Sequence, residues 1–137
     1  MHSLAQHWIE NVVLKAPVTQ ALGISLRSAA IDQVTLAMPF SEELTTIPGV
    51  LHGGVVATLI DIAGAAASAS GLSSDDGVSG GATANLTVNY LAPASADLIA
   101  VATVVHRTRS ATLTEVRITN PQGKLVATGQ VNSRLFR

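Results

Sequence analysis

The stretch HGGVVATLIDIAGAAASAS, residues 52–70, decides how this chain folds. It is rich in alanine and free of proline, and it places Val55, Leu59, Ile62 and Ala66 at spacings of four, three and four. An α-helix gathers those positions on one face. The remaining faces are apolar as well. Between Leu44 and Ser74 there is no Lys or Arg, and Asp61 is the only carboxylate. A helix apolar nearly all round has no face for water, so other structure should wrap it. Residues 49–72 are also about long enough to span a bilayer. Asp61 near the middle would then cost about 2.5–3.5 kcal/mol, and Ala, Gly and Ser offset little of that. A wrapped helix is the better reading.

After the helix, residues 73–81 form a loop of Ser, Asp and Gly, and four strand-like runs follow at 82–91, 98–106, 111–119 and 125–135. In the first of these, Leu86, Val88 and Tyr90 alternate with Asn85, Thr87 and Asn89. Residues 92–95 and Asn120-Pro121-Gln122-Gly123 supply turns, the second with Pro and Gly where a type I turn wants them. Before the helix, residues 3–15 read as a short amphipathic helix with Ser3 as N-cap, ended by Pro17. Residues 24–40 read as two short strands about an Asp32-Gln33 turn, and 41–51 as a loop. The outline is two strands, one long buried helix and four strands. That predicts a single α+β domain over 1–137 with an antiparallel sheet of about six strands, and a helical extension at 1–20.

Composition narrows the function. At 137 residues the chain buries about two-thirds of its unfolded surface on folding. It is 47% hydrophobic and only 12% charged, so another subunit is expected to cover part of the surface. A net charge of −1 argues against nucleic acid as a partner. The basic residues are uneven, however. Arg107, Arg109, Arg117, Lys124, Arg134 and Arg137 all follow residue 106, where Glu115 is the only acid, so this region is +5 and suited to an anionic ligand. The chain has no cysteine, hence no disulfide and no thiolate nucleophile. Its four histidines, at 2, 7, 52 and 106, show no metal-ligand spacing, and no nucleotide-binding glycine pattern is present. No metal and no cofactor are expected. Residues 1–15 lack the basic start and apolar run of a signal peptide, so the expected location is the cytoplasm.

The chemistry is expected at His52-Gly53-Gly54 and Asp61. Free backbone N–H groups point out of a helix N-terminus, and glycine lets a ligand approach them. Aimed at a carbonyl oxygen they form an oxyanion hole, aided by the positive end of the helix dipole. By itself Gly-Gly is better explained by a tight turn with His52 as a polar cap. Asp61 adds the second half. It has no partner in its own element, and such a carboxylate serves as general base, as nucleophile, or as a structural group bonded to backbone or a neighbouring subunit. It lies about 12–14 Å along the helix from residues 52–53. Groups so far apart do not easily flank one carbonyl, so if they cooperate they come from different chains in a symmetric dimer. Gly77-Val78-Ser79-Gly80-Gly81 fits a G-x-S-x-G pattern, but a loop precedes it and a strand follows, the reverse of a nucleophile elbow.

The segments Gly49-Val50-Leu51-His52-Gly53-Gly54, the aspartate nine residues after His52, and Asn85-Leu86-Thr87-Val88-Asn89-Tyr90-Leu91-Ala92-Pro93 together resemble hotdog-fold thioesterases of the phenylacetate-pathway type. Arg107-Thr108-Arg109 and Gly123-Lys124-Leu125-Val126-Ala127 match the same family pattern, and the likeness runs over about residues 20–135. The resemblance implies a long helix wrapped by a curved antiparallel sheet, in a homodimer that assembles to a homotetramer. It implies an acyl-CoA substrate, with the Gly53 amide as carbonyl donor and Asp61 reaching across from the partner as base or nucleophile. It places Thr83 beside the attacking water, and Arg107, Thr108 and Arg109 near the CoA nucleotide. His52 and Gly54 belong to the same motif. The chain departs from the family at Thr46, where many relatives have asparagine at the substrate, and at Thr108, where glycine is common. The competing reading is a non-catalytic acyl-CoA-binding or sensing module, which has no need of Asp61. A dehydratase of the same fold would pair the aspartate with a nearby histidine on another motif, and none is evident. The acyl group is open between medium-chain and arylacetyl, because aromatic residues make up only 3% of the chain.

Overall fold

A computed structural model describes residues 1–137. In chain order the elements are α1 (Ser3–His7), a π-helical segment (Trp8–Val13), α2 (Pro17–Ala21), β1 (Ser25–Ala30) and β2 (Gln33–Met38). Then come a 3-10 turn (Glu42–Leu44), β3 (Thr45–Ile47), β4 (Val50–Leu51), the long helix α3 (Gly53–Ser70) and a second 3-10 turn (Ser74–Asp76). The chain ends with β5 (Gly80–Tyr90), β6 (Leu98–Arg107), β7 (Ala111–Thr119) and β8 (Leu125–Phe136). Six strands form one antiparallel sheet in the order β1-β2-β6-β7-β8-β5, and α3 packs across β2, β6, β7 and β8. This is the curved sheet around a central helix that the resemblance implied.

The wrapping follows from alternation. Every second residue of the inner strands faces α3: Val34 and Leu36, Leu98, Ala100 and Ala102, Val116 and Ile118, and Val131 are fully buried. They enclose Leu59, Ile60, Ala63, Ala66 and Ala67 of the helix, also fully buried. Helix and sheet interlock at two glycines. A Cβ at Gly64 would lie 2.6 Å from the Val131 side chain, and one at Gly129 would lie 2.6 Å from Ile60. Each glycine is the hole for the opposite knob, which brings the backbones closer than any side chain permits. By length and composition α3 could cross a membrane, with mean hydropathy 1.4, but 61% of it is buried inside the fold. A different stripe is only half-buried: Ala57, Thr58, Asp61 and Ala65.

Four local expectations are corrected. The N-cap of the first helix is His2, not Ser3; its Nδ1 accepts the Leu4 N–H at 3.0 Å. The helix expected over 3–15 is α-helical only to His7, then widens into π-helix that closes with Leu14 N–H to the Ile9 carbonyl at 2.9 Å. Pro17 ends that helix and also opens α2, since its fixed φ and missing N–H suit a first helical position. The β1–β2 reversal is at Ile31-Asp32 rather than Asp32-Gln33, with Asp32 at φ 66°. Finally, 41–51 is not plain loop: β3 and β4 form a small hairpin about Pro48-Gly49, too short for alternation to register. His52 N–H donates to the Leu44 carbonyl at 2.8 Å, which fixes that hairpin to the start of α3.

Candidate active site

The opening turn of α3 carries four amides without helical partners, and the structure accounts for three of them. His52 is the N-cap, in extended conformation, and its Nδ1 accepts the Gly54 N–H at 2.8 Å. Its carbonyl accepts from Val55 at 2.9 Å, and its own N–H donates to the Leu44 carbonyl at 2.8 Å. The Gly53 N–H alone has no acceptor. Glycine at position 54 gives the imidazole its room, because a Cβ there would lie 3.0 Å from the ring and push it aside. Since Nδ1 accepts, a neutral His52 carries its proton on the outward Nε2. On the other side of Gly53, the Tyr90 hydroxyl donates to the Gly53 carbonyl at 2.6 Å, and its ring would lie 3.3 Å from a Cβ at that position. Tyr90 thus steadies the peptide unit that follows the free amide. Sequence reasoning placed Tyr90 in a strand and gave it no role at the site; the N-Y-L-x-P run was the available signal.

Asp61 lies two turns farther along the same helix, on its half-buried stripe. Its partner comes from outside its own helix: the Thr83 hydroxyl of β5 donates to Asp61 Oδ1 at 2.5 Å. Thr83 sits where β5 shifts register against β8, between Thr83 and Asn85, and such bulges re-aim a side chain. The bond holds one carboxylate oxygen and leaves Oδ2 unbonded. Thr83 and Asp61 therefore form one cluster, and His52, Gly53, Gly54 and Tyr90 a second. They stand at the two ends of an eight-residue helical interval, about 12 Å of rise.

The other expected residues lie apart from both clusters. Arg107 is held inside the fold. Its Nε and Nη2 donate to Asp32 Oδ1 at 3.1 and 2.8 Å, Nη1 to the Ser68 carbonyl at 2.9 Å, and Nη2 to the Ala67 carbonyl at 3.2 Å. A cation capping the last carbonyls of α3 and paired with a carboxylate is not available to a ligand. Thr108, in place of the common glycine, uses its hydroxyl within its own turn, accepting the Ala111 N–H at 3.1 Å. Arg109 projects from that turn, exposed and without an ion pair. Thr46 is exposed on β3, two residues past Leu44, whose carbonyl holds His52. Ser79 of the G-x-S-x-G pattern lies before a strand, with its hydroxyl on the Phe136 carbonyl at 3.3 Å, which excludes an elbow nucleophile. No group of His, Asp or Glu is placed to hold a metal ion.

Comparison with known proteins fits this geometry. The thioesterase superfamily profile matches residues 48–127, the span from the approach to α3 through the first three residues of β8. Human acyl-coenzyme A thioesterase 13 is 34% identical over 115 residues, 82% of this chain and 79% of that one. The crystal structure of a thioesterase family protein from Silicibacter pomeroyi superposes with a TM-score of 0.87 at 26% identity, covering 96% and 98% of the two chains. The Escherichia coli PaaI protein of the phenylacetic acid degradation operon shares the fold, with a TM-score of 0.84 at 23% identity and coverage of 98% and 95%. The chain belongs to the thioesterase superfamily and is a thioester hydrolase of the hotdog fold.

Proposed function

We propose that this protein hydrolyses acyl-CoA esters at sites shared between two copies of the chain. One observation carries the reading: Gly53 holds the single free amide at the start of α3, while Asp61, the only carboxylate of that helix, is oriented by Thr83. The human relative's name states acyl-coenzyme A as its substrate. The two clusters are too far apart for one carbonyl, and β5 supplies the means of joining them. Thr83 stands near its start beside Asp61, and Tyr90 at its end beside Gly53. Two β5 edges paired antiparallel about a point between Leu86 and Thr87 set the Asp61 end of one copy against the Gly53 end of the other. The resulting homodimer has two identical sites, and pairs of dimers make the homotetramer.

In this site Asp61 Oδ2 takes a proton from water as the oxygen attacks the thioester carbonyl. The displaced electron pair moves onto the carbonyl oxygen, where the Gly53 N–H and the positive end of α3 stabilise it. Collapse expels the CoA thiolate, which recovers the proton from Asp61. His52 contributes by capping: it occupies the Gly54 amide and so leaves the carbonyl oxygen only the Gly53 donor. Direct attack by Oδ2 on the acyl carbon is the alternative, and an acyl-enzyme trapped by rapid acid quench selects it. Thr108 and Arg109 flank the nucleotide of CoA, with Arg109 meeting its phosphates in place of the occupied Arg107. A panel of acyl-CoAs assayed for free-thiol release tests the reading, with Asp61→Asn alongside. Full activity in Asp61→Asn overturns the mechanism. CoA esters bound but never hydrolysed would favour the sensing module.

A further inference from the structure

One cavity adjoins the carboxylate cluster and has not yet been given a role. About 210 Å³ in volume, it is lined by Trp8, Val12 and Val13, by Ala65, Ala69 and Leu72 of α3 and its end, and by the start of β5 including Thr83. Its geometry follows from Asp61. Ala65 and Ala69 lie one and two helical turns beyond the aspartate, so Asp61, Ala65 and Ala69 form one stripe running from the carboxylate into the cavity. Thr83 is shared: its hydroxyl holds Asp61 and its residue lines the cavity mouth. The space exists because the stripe is alanine, where a larger side chain would fill it.

The opposite wall is the π-helical segment. Trp8, Val12 and Val13 all come from it, while Ile9 of the same segment is fully buried in the core. The extra residue per turn widens the helix, so that one short segment anchors into the core through Ile9 and still presents Trp8, Val12 and Val13 to the cavity. The lining holds no carboxylate, and its one cation is Arg134. Of its polar side chains, Ser68 and Thr83 are already bonded, to Thr112 and Asp61, and the buried Ser133 hydroxyl is unpaired. Away from Arg134 and the Ser133 hydroxyl, a charged or strongly polar group has nothing to pair with along the alanine stripe and the Trp8 wall, whereas an apolar chain gains by leaving water.

We propose that this cavity is the acyl pocket, and that it selects an uncharged apolar acyl group of about eight carbons. This rests on the reading of Asp61 as the catalytic carboxylate. The size follows from volume: an apolar cavity of about 150 Å³ takes benzene, so at the same ratio about 210 Å³ takes about eight carbons. The thioester then lies at the Asp61 end, the acyl chain runs along the alanine stripe beneath Trp8, and CoA leaves toward the partner's side of the site.

The test is a chain-length profile of kcat/KM for acyl-CoAs from butanoyl to hexadecanoyl, measured on wild type, Ala69→Leu and Trp8→Ala. Ala69→Leu fills the far end, and the octanoyl-to-butanoyl ratio is expected to fall at least tenfold. Trp8→Ala enlarges the same space from another element and shifts the optimum toward longer chains. Opposite shifts from two elements cannot arise from loss of folding, which would depress all esters together. The assignment is overturned if wild type prefers hexadecanoyl, or if both variants lower every ester by the same factor, the pattern expected of a pocket for pantetheine. The catalytic reading fails separately. If wild type hydrolyses nothing, calorimetric binding of octanoyl-CoA decides: binding weakened by Ala69→Leu supports the pocket without the chemistry, and binding indifferent to Ala69→Leu removes the pocket too.

Discussion

The sheet has two edges, and they are built differently. β1 is six residues long, carries Arg27 mid-strand, and shifts register between Leu26 and Ser28. Shortness, a charge and a bulge are the usual means by which an edge avoids pairing with another chain. β5 has eleven residues with no charge and no proline, and none of them is buried in the isolated chain. Its bulge lies near its start, where it turns Thr83 toward Asp61. A long, uncharged, exposed edge is open to pairing with another strand. The β1 side also carries the clamp of Arg107 on Asp32 and the end of α3, whereas the β5 side carries Thr83 and Tyr90. The contrast suits a division of labour: the β1 side is closed and ties the fold together, and in the shared site proposed above β5 is the edge that joins the two copies.

The largest predicted effect is on the β5 side. Asp61→Asn should lower kcat by about 10²–10⁴-fold while thermal unfolding and oligomeric state stay as in wild type. Next is the edge itself. Leu86→Lys places a charge in the middle of the proposed β5–β5 junction; light scattering should find monomers, and turnover should fall by about a hundredfold or more because each site loses half its groups. Retained activity in a monomer would break the comparison. Arg107→Ala, on the β1 side, should destabilise by about 2 kcal/mol, as expected for hydrogen bonds to charged groups, and appear as a lower Tm with kcat unchanged. A smaller change sharpens the β5 side. Tyr90→Phe removes one hydroxyl from the Gly53 carbonyl and should cost about 1 kcal/mol in kcat with little effect on KM. Ser28→Lys on β1 is the matched control for Leu86→Lys, and should change stability by less than about 0.5 kcal/mol and assembly not at all.

Much of this was legible in the sequence, for identifiable reasons. The long helix and the last four strands carry strong periodic signals, and Ala111–Thr119 came out at the boundaries found in the structure. The β3–β4 hairpin did not, because two or three residues cannot show alternation. Nor did the π-helical turn, since spacings at Leu4, Trp8, Val12 and Val13 suit an α-helix equally well. At the site, His52, Gly53, Gly54 and Asp61 stood out through spacing and isolation. Arg107 misled: charge along the chain shows where cations are, but not which of them a carboxylate at Asp32 and two helical carbonyls will claim. Tyr90 went unassigned because its role depends on a contact thirty-seven residues away in sequence.

The shared site can be tested by mixing two inactive forms. Gly53→Pro deletes the free amide at a first helical position, where the backbone suits proline, His52 already has the extended conformation required before it, and the Tyr90 ring, 3.3 Å from the new Cβ, has to give by a few tenths of an ångström. Asp61→Asn deletes the carboxylate. Co-expressed in equal amounts and purified together, the two chains form heterodimers in half the molecules, each with one intact site and one doubly broken. Thiol release from an acyl-CoA should return to about a quarter of the wild-type rate, although neither variant alone is active. No recovery in a mixture shown by mass to contain heterodimers would mean that Gly53 and Asp61 act within one chain, and the shared site would be wrong.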